Sequence, residues 1–121
     1  MERKQDNHPR APGKTTIAPG VLVTIARLTA LSVPGVSAMA PTFSGVNRFL
    51  RAGYGEGVQI QVENGGVEVD LYLILECDTN VRNVSRNVQK EVSRAIEEMV
   101  GMEALRIDIH IEDIDYFQDE I

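Results

Sequence analysis

A change of hydrophobic period at Gly101 constrains this chain more than any other feature. From Thr79 to Gly101 the apolar residues Val81, Val84, Val88, Val92, Ala95, Ile96 and Met99 recur at three- and four-residue steps. That spacing gathers side chains on one face of a helix. From Arg106 to Ile114 the step falls to two, with Ile107, Ile109 and Ile111 alternating with Asp108, His110 and Glu112. This is the period of a strand with one covered face. Together the segments specify an amphipathic helix packed on a one-sided sheet. Opposite the apolar face of that helix, Arg82, Arg86, Lys90 and Arg94 stand four apart. These four form a basic stripe on an acidic protein and are the candidate partner-binding residues.

The rest of the chain extends the pattern. Pro19 opens a first helix, where its fixed φ suits the first turn, and Pro34-Gly35 closes it. The expected buried stripe is Val21, Leu22, Ile25, Leu28 and Val33, with Val23 and Leu31 outside, flanking Arg27. Lys14 to Ala18 reads as a short strand before this helix, and Val36 to Ala40 as another after it. Val58 to Glu63 alternates strictly, Asn64-Gly65-Gly66 is a hairpin signal, and Val67 to Glu76 continues with Val67, Val69, Leu71, Leu73 and Leu75 on one face. Such alternation predicts antiparallel strands, helices over one face and water on the other. Asp78, Thr79 or Asn80 can cap the second helix and Gly101 ends it.

The predicted fold class is therefore α+β: two layers, a mostly antiparallel β-sheet with two helices packed on one face, in the order β-α-β-β-β-α-β. The predicted organisation is a disordered tail over 1–13, a single domain over 14–117 and an acidic end over 118–121. The stretch 41–57, with Gly45, Gly53, Gly55, Gly57, Arg48 and Arg51, has no regular period.

Charge is divided unevenly. Residues 1–51 carry seven Lys or Arg against two Asp or Glu, and residues 52–121 carry five against sixteen, so halves of +5 and -11 make the net -6. The imbalance suits head-to-tail association between copies, a basic end meeting an acidic one. It disfavours nucleic acid, because phosphate attraction depends on basic residues that the whole-chain field here opposes. An RNA-binding module of the KH type also requires a Gly-x-x-Gly clamp between helices, which this chain lacks.

Catalysis finds little support. A metal site needs converging ligands, and the chain offers Cys77, His8 in the tail and His110 on a strand, pointing to the open face of the sheet. Cys77 with His110 is the only conceivable nucleophile and base, and no spacing supports the pair. The carboxylates fall on solvated strand faces and the C-terminal end. The run Gly53-Tyr54-Gly55-Glu56-Gly57 precedes a strand rather than opening a helix, and lacks the Lys-Ser/Thr of a phosphate loop. No catalytic, cofactor-binding or metal-binding residue is assigned, and no enzyme activity is expected. The single cysteine points to a reducing, cytoplasmic setting. No secretory signal pattern opens the chain, and no apolar run approaches the roughly 20 residues needed to cross a bilayer.

From Lys14 to Phe117 the chain resembles the alkaline shock protein family of bacterial envelope stress-response proteins. The matching residues run in order: Thr16-Ile17-Ala18-Pro19-Gly20-Val21, Ile25-Ala26, Val33-Pro34-Gly35-Val36, Gly57-Val58, Val67-Glu68-Val69-Asp70-Leu71, Asn80-Val81, Val88-Gln89, Met99-Val100-Gly101-Met102 and Ile107-Asp108-Ile109-His110-Ile111. Where an aromatic-glycine pair is expected before Asn80, the chain has Cys77-Asp78-Thr79. The resemblance implies a non-enzymatic cytoplasmic protein without cofactor, a self-associating scaffold or adaptor. Its implied partners are further copies and other proteins, among them a small membrane-anchored one. The alternative it implies is a regulator that binds a metabolic enzyme of fatty-acid precursor synthesis.

Overall fold

The computed structural model describes residues 13–41, 54–55 and 57–116. The expected disordered tail (apart from Gly13), the acidic end over 118–121, and Gly45, Gly53, Arg48 and Arg51 lie outside the described residues. Among the described residues seven elements follow in order: α1 (Pro19–Leu31), β1 (Val36–Met39), β2 (Tyr54–Gly55), β3 (Val58–Glu63), β4 (Gly66–Glu76), α2 (Val81–Val100) and β5 (Glu103–Asp115). This is the expected two-layer α+β fold, with the helices on one face of a mostly antiparallel sheet. Lys14 to Ala18, expected as a strand, carries no strand structure.

The sheet is organised around β4. Along one edge, β3 pairs antiparallel from Val58↔Leu71 to Glu63↔Gly66, and β1 pairs antiparallel from Val36↔Leu75 to Met39↔Leu73. The two meet at Tyr72, whose carbonyl accepts from Ala40 N–H and whose N–H donates to the Gly57 carbonyl, both at 2.8 Å. Gly57 is required there: its φ is 72°, and a Cβ would stand 2.8 Å from Met39 Cβ and 2.9 Å from the Ala40 and Tyr72 carbonyl oxygens. β2 extends the sheet by pairing antiparallel with β3.

Along its other edge β4 pairs with β5, and this pairing is parallel, from Gly66↔Glu103 to Glu76↔Asp115. The mostly antiparallel sheet takes this one parallel pairing because of the connection. An eleven-residue strand is about 36 Å long and a twenty-residue helix about 30 Å, so α2 returns the chain almost to the start of β4. A strand entered after such a crossover runs parallel to its predecessor. A bulge places Glu112 as an extra residue between the pairs Leu73↔Ile111 and Ile74↔Asp113. It keeps both Ile111 and Ile114, three apart, packed against the core.

The core lies between the sheet and the helices. Val67, Val69, Leu71, Leu73 and Leu75 of β4 are fully buried, as are Val88, Val92 and Ile96 of α2. Each such side chain contributes about 1.5–3 kcal/mol by leaving water. The α1 stripe is rotated from the expected one: Leu22, Val23, Ile25, Ala26 and Ala30 are buried, while Val21 and Leu28 are exposed. On α2, Val81 and Met99 are also exposed, because both sit in terminal turns at the limits of the packed stripe.

Candidate protein-interaction surface

α2 is built to hold one face rigidly outward. Asn80 caps it, its side-chain oxygen accepting from Asn83 N–H at 3.0 Å. Gly101 closes it at φ 73°, its N–H donating to the Glu97 carbonyl at 3.0 Å. Thr79 Oγ1 donates to the Glu76 carbonyl at 2.9 Å, fastening the turn before the cap to the end of β4. With Val84, Val88, Val92 and Ile96 directed into the core, the opposite face points to solvent.

All four residues of the expected basic stripe lie on that face and are exposed. Arg94 is partly neutralised, with Nη1 3.7 Å from Glu91 and Nε 3.5 Å from Glu98. Among the described residues, Arg82, Arg86 and Lys90 make no ion pair. The stripe thus contains three consecutive like-charged i,i+4 pairs, each unfavourable by about 0.2–0.5 kcal/mol. It also opposes the helix dipole. Arg82 stands in the first turn, which has no acidic residue, and Glu97 and Glu98 stand near the C-terminus, whose last turn has no basic one. Each such placement is unfavourable by about 0.3–1 kcal/mol. The helix carries this charge against its own stability.

The open face of the sheet holds a second polar cluster. Arg106 Nη2 lies 3.1 Å from Glu68 and Nη1 3.5 Å from Asp70, and Nη1 also pairs with Asp108. The hydrogen bonds to Glu68 and then Asp108 hold the guanidinium pKa well above its usual value. His110 Nε2 is 3.0 Å from Asp70 Oδ1, and its ring stacks on Tyr72. Farther along, Ser37 Oγ donates to Asp115 Oδ2 at 2.8 Å. His110 points to the open face, as its alternation with isoleucine implies. The Arg106 cluster was not legible in the sequence, because it depends on which β4 residue stands beside which β5 residue.

Arg106 fills the space between the carboxylates with its own charge, and among the described residues no group of three His, Cys, Asp or Glu side chains could hold a metal ion. Cys77, the residue after β4, is half-buried, and its N–H donates to the Asp115 carbonyl at 3.2 Å. Among the described residues, no helix is long and apolar enough to cross a membrane.

Known proteins resemble this chain, some in sequence and others in fold. The model of the alkaline shock protein 23 family, described as having a cell envelope-related function, matches residues 7–116. The uncharacterized protein YqhY of Bacillus subtilis is 30% identical over 115 residues, covering 93% of this chain and 85% of that protein. The uncharacterized protein Spy1535 of Streptococcus pyogenes serotype M6 is 33% identical over 103 residues, covering 84% and 79%. Among solved structures, two variants of the MamM CTD superpose with TM-scores of 0.56 and 0.57 at 12% and 11% identity. They cover 79% and 84% of this chain and 95% and 88% of those chains. At that identity the likeness is one of fold alone.

Proposed function

This chain belongs to the alkaline shock protein 23 family, with its cell envelope-related role, and we propose that within that role it is a non-enzymatic, self-associating scaffold or adaptor. It works on the cytoplasmic side of the envelope, reaching the membrane through a protein partner rather than by spanning it. Its contact surface is the row Arg82, Arg86, Lys90 and Arg94 on α2. The observation that carries this reading is energetic. Three like-charge pairs and an opposed dipole weaken an isolated helix, so the row is better accounted for by a contact outside the fold than by the fold.

The counter-surface in a second copy is the sheet side of the molecule. Glu112 and Asp113 of β5 are exposed and, among the described residues, form no ion pair. The basic row and the open sheet face point in opposite directions. A contact between them therefore joins unlike surfaces of successive copies and does not close on itself as a two-fold pair would.

The test is light scattering on the Arg82→Glu/Arg86→Glu double variant, confirmed as folded by circular dichroism. The expected result is a lower mass than the wild type and weaker capture of protein partners. A folded variant with unchanged mass and unchanged capture contradicts the reading.

A further inference from the structure

Of the six asparagines in the chain, only Asn64 precedes a glycine. Asn64 and Gly65 are the two residues that join β3 to β4, and the pair Glu63↔Gly66 closes the hairpin behind them. Both take positive φ, 49° and 81°, the conformation whose twist matches that of the flanking strands. Both are exposed, and a Cβ built on Gly65 would meet nothing within 4 Å. The tip of the hairpin is therefore open to water, and its main chain can turn without displacing a neighbour. Asn80, Asn83 and Asn87 are placed differently: each precedes a valine, at the cap of α2 or inside it. Asn7 and Asn47 lie outside the described residues.

We propose that Asn64 is a modification site, where water and the chain alone deamidate the hairpin tip to aspartate and isoaspartate. The Gly65 nitrogen, having lost its proton, attacks the carbonyl carbon of the Asn64 side chain. A bond forms between them, the bond from that carbon to the amide nitrogen breaks, and the nitrogen regains the proton and leaves as ammonia. The product is a cyclic imide, which water opens at one of its two carbonyls. Opening at the side-chain carbon leaves aspartate. Opening at the main-chain carbon leaves isoaspartate, with the chain running through the former side chain. One water enters, one ammonia leaves, and nothing is oxidised or reduced. Glycine decides the position, because it puts no side chain in the path of attack. After Asn80, Asn83 and Asn87 a β-branched valine crowds the attacking nitrogen. The Val84 N–H that would attack Asn83 is also held by the Asn80 carbonyl at 3.0 Å. The consequence is structural. Isoaspartate lengthens the main chain of a turn of only two residues, and turn length sets the register of a hairpin. Gly66, two residues on, begins the pairing of β4 with both Glu63 of β3 and Glu103 of β5. Aspartate fits the same turn, since Asp-Gly suits it as Asn-Gly does.

The test holds the full chain at neutral and at mildly alkaline pH, both folded and unfolded in guanidinium, and follows it by peptide mass spectrometry. Electron-transfer fragmentation distinguishes aspartate from isoaspartate. In the folded protein the Asn64 peptide should exchange amide for acid, faster at the higher pH because attack requires loss of the Gly65 amide proton. The peptides holding Asn80, Asn83 and Asn87 should stay unchanged. The isoaspartate form, isolated by anion exchange, should unfold at a lower urea concentration than fresh protein or Asn64→Asp. Asn64→Gly, whose Gly-Gly pair also suits the turn, should lose no stability over the same incubation. Asn64 left intact in the folded protein after the unfolded chain has converted overturns the assignment. So does conversion of the α2 asparagines at the same rate. An isoaspartate form as stable as fresh protein overturns the structural consequence. None of these readouts involves Arg82 or Arg86, so this assignment and the reading of α2 can each fail alone.

Discussion

The rings of Tyr72 and His110 stack with centroids 4.4 Å apart and planes 11° from parallel. They meet because β5 lies parallel to β4 with these two residues in register. The stack, with the contact from His110 to Asp70, ties the edge strand to the centre of the sheet. A double-mutant cycle of Tyr72→Ala and His110→Ala, read by urea unfolding, should give a coupling of about 0.5–1.5 kcal/mol. A coupling near zero would show that the stack is incidental to the pairing.

Two leucines on α1 test its orientation. Leu22 is fully buried and Leu28 is more than half exposed. Leu22→Ala should destabilise by about 2–5 kcal/mol, and Leu28→Ala should stay within about 0.5 kcal/mol of the wild type. Equal losses would contradict the rotated stripe.

Gly57 and Gly101 both adopt positive φ, but only Gly57 is crowded. Gly101→Ala should cost about 1–2 kcal/mol, the backbone term alone. Gly57→Ala adds a collision with Met39 and two carbonyls at the β1–β3 junction, so its loss in thermal unfolding should exceed that of Gly101→Ala. A smaller loss would mean that this junction opens readily.

Arg82→Glu separates stability from contact. It removes a cation from the N-terminal turn of α2 and replaces the Arg82–Arg86 repulsion with attraction. Its unfolding free energy should rise by about 0.3–1 kcal/mol. Destabilisation by this substitution would remove the argument that the row is kept for something other than the fold.

Much of this architecture was legible because local period decides burial. The face of β4 and the Val84–Ile96 stripe of α2 could be read directly, since each faces one partner layer with no competing apolar side. α1 could not. Val21, Leu22, Val23, Ile25, Leu28 and Leu31 surround most of the helix, so packing against α2 and the sheet, rather than periodicity, decides which are covered. The direction of β5 was hidden for another reason: alternation tells which side chains share a face and is silent on the strand's polarity. The match between the lengths of α2 and β4 was the available signal. The basic row was legible as spacing, but its unpaired state required Glu91 and Glu98 to be placed beside Arg94 alone.

Whether unneutralised charge on α2 drives contact between copies is decided by the mass of the wild-type protein in light scattering at low and high salt. Exposed charges are largely screened once the Debye length falls from about 30 Å at 0.01 M salt to about 3 Å at 1 M. Assemblies present at low salt should dissociate as salt rises. A monomer under both conditions, or an assembly indifferent to salt, would contradict it.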